Sequence, residues 1–249
     1  MKKIFFLLLA LLLLPGTVVP AGAAGELTAG QIMEKVDHTL NAPLDQEMQA
    51  NLIITDAKGN ESRRKMVIMQ KGDDRRMVRF LEPPDQRGIA FLSLPGEITY
   101  LYLPAYRQTR RIASHVKNQK FAGTDFTYED METKKYTGDW DAELLAEKNG
   151  LYHLELYPKE ETVTDYGRLV VRIRKDIFFP VKIEFYDKGN NLYKIMLQEK
   201  IEQIDGYWIA LESEMKDQQA GTATSMIFTE VKFDTGLADD IFTERYLSR

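Results

Sequence analysis

The 249-residue chain contains no cysteine. That removes disulfides, thiolate nucleophiles, thiolate metal sites and the lipidated cysteine of a lipobox. Histidine is scarce as well: His38, His115 and His153 stand at no metal-ligand spacing and read as satisfied or solvent-facing side chains. No serine lies in a G-x-S-x-G elbow, and no glycine-rich phosphate loop occurs, so no cofactor is expected. The acidic pairs Glu129-Asp130 and Glu160-Glu161 are neighbours in sequence and read as solvated charge, not as opposed catalytic carboxylates. Positive charge is also short, with 33 Lys and Arg against 38 Asp and Glu, a formal net charge of −5. A nucleic-acid partner needs a dominant basic footprint and is not expected. These absences point away from an enzyme.

What is present begins with Met1-Lys2-Lys3, an apolar run from Ile4 to Leu14, the break Pro15-Gly16, and small residues around Ala21-Gly22-Ala23. This order reads as a signal peptide over residues 1–23, cleaved near Ala23 or Ala24. The run is shorter than the roughly 20 residues that span a bilayer. No later stretch reaches that length. The expectation is an exported chain with no lipid anchor, soluble in the periplasm. Loss of Lys2 and Lys3 takes the formal charge from −5 to −7.

Residues 24–249 read as one domain, without linker, repeat or low-complexity tract. Thr28 can cap a helix in which Ile32, Met33, Val36 and Leu40 share a face, and Pro43 closes it. The period then changes to two. Met48, Ala50, Leu52 and Ile54 alternate with polar neighbours, and a hairpin follows at Lys58-Gly59-Asn60. Strands are expected at 75–81, 89–94, 98–103, 108–112, 143–148, 151–157, 168–175, 181–186, 193–204, 207–216 and 222–233. Asn149-Gly150 and Asp205-Gly206 mark tight turns. Between about His115 and Tyr136 the pattern breaks, and a short helix capped by Thr124 or Asp125 is expected, with another helical piece at 238–247. A sheet this long must curl or close to manage its edges, and its concave face can then be either a core or a ligand cavity.

Several segments carry a resemblance. They are Pro83-Pro84-Asp85-Gln86-Arg87-Gly88-Ile89-Ala90-Phe91-Leu92, Leu101-Tyr102-Leu103-Pro104-Ala105, Arg110-Arg111-Ile112, the run from Phe121 to Asp130, Phe185-Tyr186-Asp187 and Asp205-Gly206-Tyr207-Trp208. Together they resemble the LolA-like outer-membrane lipoprotein-sorting proteins, in a divergent periplasmic LolA/LolB-like branch, over essentially all of residues 24–249. The run from Phe121 to Asp130 is the most specific of them. The resemblance implies a mainly β (α+β) fold: an open, incomplete antiparallel β-barrel with an N-terminal helix and a helical plug or lid. It implies a carrier that shelters the acyl chains of a lipoprotein and delivers it towards the outer membrane. Phospholipid is the other candidate ligand, and an inner-membrane transporter and an outer-membrane acceptor are the implied partners. The best-studied carriers use an arginine near the cavity to control release. Arg63, Arg64, Arg75, Arg76 and Arg79 occupy a similar region, and none is assigned that part.

Strand alternation names Met66, Ile68, Val78, Phe80, Phe91, Tyr100 and Tyr102 as lining candidates. A one-residue slip in register would turn the opposite face inward. Phe126 and Met131 are candidates for the underside of a lid hinged at Gly123. The basic run Arg107, Arg110, Arg111, Lys117 and Lys120 reads either as a contact for lipid headgroups or a membrane partner, or as a solubilising strand edge. Ten methionines add a flexible, polarizable apolar surface, suited to variable chains or simply to a core. Two further readings stay open: a free-lipid carrier serving a membrane exporter, and a non-lipid interaction module with a filled core.

Overall fold

The computed structural model describes residues 26–249, and the expected leader at 1–23 lies outside them. Helix α1 (Ala29–Leu40) opens with a reciprocal box. The Thr28 hydroxyl accepts the Gln31 N–H at 3.2 Å, and the Gln31 side chain accepts the Thr28 N–H at 2.9 Å. Two donors that a helix start leaves free are thereby satisfied. Ile32, Met33 and Val36 are buried on one face.

Strands β1 (Asp45–Thr55), β2 (Glu61–Lys71), β3 (Arg75–Glu82), β4 (Ala90–Leu94), β5 (Ile98–Leu103) and β6 (Gln108–Arg111) form one antiparallel arm. Strands β7 (Trp140–Lys148), β8 (Leu151–Pro158), β9 (Tyr166–Arg174), β10 (Phe179–Asp187), β11 (Leu192–Ile204), β12 (Tyr207–Asp217) and β13 (Thr222–Phe233) form the other. The arms join where β1 pairs with β13, so the first and last strands lie at the centre of a 13-stranded sheet. Its two edges, β6 and β7, are consecutive in sequence. The sheet is not closed into a barrel, and the fold is mostly β with few helices. Asn149 and Gly150 have φ of +54° and +74°, and Asp205 and Gly206 +50° and +90°. Positive φ at both central residues matches the twist of the flanking strands, which is why these two dipeptides turn the chain in two residues. Bulges between Gln49 and Ala50, and between Pro180 and Lys182, help bend the strands.

The concave face carries the main core, with α1 packed into it. The convex face of the first arm carries a second, smaller core. There Met69, Met77, Ala90 and Leu92 are covered by Leu237, Phe242 and Leu247, the last of these in helix α4 (Glu244–Leu247). Residues 112–139 run from edge β6 to edge β7 across the concavity. They include helix α2 (Tyr128–Met131) and helix α3 (Tyr136–Asp139). The cap of α2 is Thr127, not Thr124 or Asp125. The Thr127 hydroxyl accepts the Asp130 N–H at 3.1 Å, and the Asp130 carboxylate accepts the Thr127 N–H at 2.8 Å. The Thr124 hydroxyl is spent on the Phe121 carbonyl, and Asp125 on β13. Among the described residues no helix is long and apolar enough to cross a membrane.

Candidate functional site

The inward residues of the two arms build the site. Along the first arm Met66 lies opposite Phe80, Ile68 opposite Val78, Val78 opposite Phe91, and Phe91 opposite Leu101. Met66, Ile68, Val78, Phe80 and Phe91 therefore share the concave face. Tyr100 and Tyr102 do not, which corrects the expectation for both. They lie opposite Leu92 and Ala90 and pack into the convex core. The connection Pro95–Glu97 is three residues long, so it pairs residues of equal parity and turns Leu101 and Leu103 inward instead.

Two of the five concave candidates, Phe80 and Phe91, support the insertion from below. Phe121 stacks on Phe80 at 5.4 Å between ring centroids and meets Phe91 and Tyr128 edge-on at 5.7 and 5.6 Å. That packing fills the hollow of the first arm and leaves Met66, Val78, Phe80 and Phe91 fully buried. Of the seven lining candidates, Ile68 alone borders open space.

The open space is a cavity of about 300 Å³ between β1, the inner face of the second arm, the end of α1 and the insertion. Its wall includes Met48, Met131, Met196, Met215 and Met226, five of the chain's ten methionines. Phe126, Phe185, Phe228 and Phe233 add to the apolar surface, and Arg76, Lys117, Glu129, Asp130 and Glu132 border the cavity as a charged rim. Unbranched thioethers can repack around chains of differing shape where branched residues cannot. The volume is near the lower end of the roughly 300–1,000 Å³ typical of ligand sites. Phe126 and Met131, the lid candidates, are buried and form part of the wall.

Buried polar contacts pin the insertion over this cavity. Asp125 accepts the hydroxyls of Thr222 and Thr224 on β13 and the Lys120 ammonium, the last at 2.7 Å. Lys120 also pairs with Asp217 at 3.0 Å. Asp130 faces the Lys194 ammonium at 3.5 Å, and the Tyr166 hydroxyl donates to it at 3.1 Å. Glu132 accepts Lys117 at 2.9 Å and the Thr99 hydroxyl at 2.7 Å. Arg76 donates to the Glu132 carbonyl at 2.9 Å, and Arg64 to the Ala122 carbonyl. From the other side, Asp37 of α1 accepts the N–H groups of Tyr136 and Thr137 at 2.8 and 2.9 Å. Lys117 and Lys120, expected to meet headgroups, are thus spent inside the molecule. Only Arg107, Arg110 and Arg111 of that basic run are exposed at the β6 edge.

Electrostatics follow from this burial. Burial pushes the Glu129 carboxyl up to about 7, with Lys134, the Thr164 hydroxyl at 2.8 Å and neighbouring carboxylates adjusting it. Burial would also raise Asp130, but Lys194, Lys134 and the Thr127 hydrogen bonds outweigh it and hold this carboxyl below its ordinary value. Burial lowers the Arg76 guanidinium to about 10 against the opposing pull of Glu132. Among the described residues, no group of three or more histidine, aspartate or glutamate side chains is placed to hold a metal ion.

Sequence reasoning missed Asp125, Asp130, Lys194 and Gln198 as parts of the site. A signal existed for two of them: Lys194 and Gln198 alternate with Met196 at the inward positions of β11, where a strand facing a core carries apolar residues.

A family model described as "uncharacterized protein" matches residues 72–249. A Vibrio parahaemolyticus domain with a proposed role in outer-membrane lipoprotein sorting superposes with a TM-score of 0.82 at 28% identity, over 89% of this chain and 98% of that one. A DUF1329 family protein from Desulfovibrio piger gives 0.84 at 26% identity, over 88% and 97%. The chain belongs to the family of that model, and its fold is LolA-like. The LolA superfamily protein of Nitrosomonas europaea has the same fold, with a TM-score of 0.74 at 23% identity, over 89% and 100% of the two chains. No curated protein matches the sequence. The family model, which begins within the β2–β3 turn, takes in both the insertion and the second arm, two of the parts that wall the cavity.

Proposed function

We propose that this LolA-like chain is a periplasmic carrier that holds the acyl chains of a lipoprotein in the cavity under the insertion and hands it on towards the outer membrane. The observation that carries this reading is the methionine-rich apolar cavity, floored by an open sheet and roofed by a segment held through polar contacts. Sequestration needs no covalent step. Each buried methylene gains about 0.8 kcal/mol, so a chain of about 15 methylenes gains about 12 kcal/mol on leaving water. A cavity of about 300 Å³ is small for several such chains, so full loading requires Phe126 and Met131 to move outward with the insertion. In this reading residues 1–23 direct export and are removed. Arg107, Arg110 and Arg111 meet anionic headgroups or an acidic partner at the membrane. The small volume also favours the second reading, a carrier of free lipid with fewer chains serving a membrane exporter.

Extraction of the protein purified from its native envelope, followed by mass spectrometry, separates the two. Acylated peptide is the expected cargo, diacyl lipid without peptide supports the second reading, and no acyl material together with no binding of a fluorescent acyl probe refutes both.

A further inference from the structure

The cavity wall is not uniformly apolar. Gln198 on β11 lies directly opposite Ser213 on β12, and both border the cavity. The neighbouring inward pair is Met196 opposite Met215, and Ser213 also faces Met226 across β13. A polar pair is therefore set among three methionines, away from the charged contacts that pin the insertion. The Gln198 carbonyl oxygen Oε1 is buried and has no hydrogen-bond partner. Buried polar atoms are nearly always paired, and this orphan sits at the end of a side chain that lines the cavity, where rotation of the terminal amide presents it to a ligand.

We propose that the Gln198–Ser213 pair recognises a hydroxyl group on the cargo, which makes the preferred ligand a long apolar chain bearing a hydroxyl, not a plain hydrocarbon chain. This rests on the carrier reading of the same cavity and specifies its ligand. A hydroxyl both donates and accepts. It can donate to Gln198 Oε1 while accepting from the Ser213 hydroxyl, so one ligand group completes the pair. A plain chain at this position would cover Gln198 without giving it a partner, and would displace any water there without replacing its bonds. Sites built to hydrogen-bond a ligand discriminate through this penalty, because the loss falls on the unpaired protein group. The hydroxyl could belong to a hydroxylated acyl chain or to a glycerol joined to one, and these sources are separable.

The test measures dissociation constants of the mature protein for hexadecanoic acid, for 3-, 12- and 16-hydroxy long-chain acids, and for monopalmitoylglycerol. At least one hydroxylated ligand is expected to bind about tenfold more tightly than hexadecanoic acid. Which one it is identifies chain or glycerol as the source. Gln198→Leu is expected to abolish or reverse that preference. Because it removes an unpaired buried group, it should leave thermal stability equal or higher. Ser213→Ala, a smaller change, is expected to reduce the preference and serves if Gln198→Leu does not fold. Equal affinity for plain and hydroxylated ligands in the unsubstituted protein overturns the proposal and leaves the carrier reading intact. So does a preference that survives both substitutions. Failure of every chain to bind overturns the carrier reading itself.

Discussion

Replacing Lys194 by methionine tests how the insertion is held. The lysine is fully buried and the Asp130 side chain is 4% exposed, so neither charge has water to fall back on. Methionine fills a similar volume but leaves Asp130 with the Tyr166 hydroxyl, its own Thr127 cap and the field of Lys134. Removing one partner of a buried pair costs about 3–5 kcal/mol, because the other charge stays behind uncompensated. The pair as a unit is worth far less, since its attraction first offsets the cost of drying both ions. Lys194→Met combined with Asp130→Asn is therefore expected to recover most of the loss, with about 1–2 kcal/mol remaining. Urea unfolding at constant slope reads these values, and a slope of about 3 kcal/mol per molar turns the single loss into a midpoint shift of about 1–1.7 M. The pH dependence gives an independent check. With Lys194 present, the Asp130 carboxyl titrates below its ordinary value, so its stabilising effect is full above the unfolded value and is lost as pH falls through the folded one. Without Lys194, burial dominates and raises that carboxyl, so the deficit of the variant is largest near neutrality and shrinks on acidification. A single variant that loses less than about 1 kcal/mol, or a double variant worse than the single, would refute this account.

Glu129, raised to about 7 chiefly by burial, costs stability as pH climbs from its ordinary value towards 7. Glu129→Gln should flatten the fall in melting temperature between pH 5 and 7, and an unchanged slope would assign that fall to other groups. Met196→Trp adds bulk to a cavity of about 300 Å³ and is expected to weaken acyl-probe binding about tenfold with the fold retained. Phe91→Arg should fail to fold, since it puts a charge into the stack under Phe121, while Tyr102→Arg on the convex face should leave probe binding unchanged. Loss of binding in a folded Tyr102→Arg protein would place the ligand on the other side of the sheet. Amide exchange from Thr124 to Met131 is expected to slow on addition of a long-chain ligand and to quicken in Lys194→Met, as suits a roof that opens.

Much of the sheet was legible because its turns are local chemistry. Asn149-Gly150 and Asp205-Gly206 set hairpins irrespective of what surrounds them, and Thr28 with Gln31 fixes the start of α1. The inward face of β5 was not legible, for a physical reason. The C-terminal segment covers the convex side of the first arm, so Leu92 and Tyr100 outside are as apolar as Phe91 and Leu101 inside, and alternation no longer separates the faces. The filling of the first arm's hollow was not legible either. Phe80 and Phe91 have the composition of a lining, and only the placement of Phe121 shows the space above them to be occupied. Lys117 misled because the insertion's own fold brings Glu132 to it, and Lys120 because Asp217 becomes its neighbour only after the insertion docks. Ahead of α2, Thr124, Asp125 and Thr127 are all competent caps by residue type, and long-range demand from β13 for Asp125 leaves the cap to Thr127.

The join between β1 and β13 bears on how the molecule assembles. Every other pairing in the sheet links strands consecutive in sequence and can zip from its own turn, with little chain entropy lost in closing each loop. The central seam alone joins distant chain: the Leu44 N–H reaches Asp234 across 190 residues. Two meanders can thus form early and separately, each with one raw edge that will later be the middle of the sheet. Those raw edges are the dangerous ones, since an unpaired central strand is a template for any other strand it meets. A chain shortened from its C-terminus past Thr222 would keep both outer edges and lose the strand that welds the halves. Its defect would be aggregation, not a trimmed periphery.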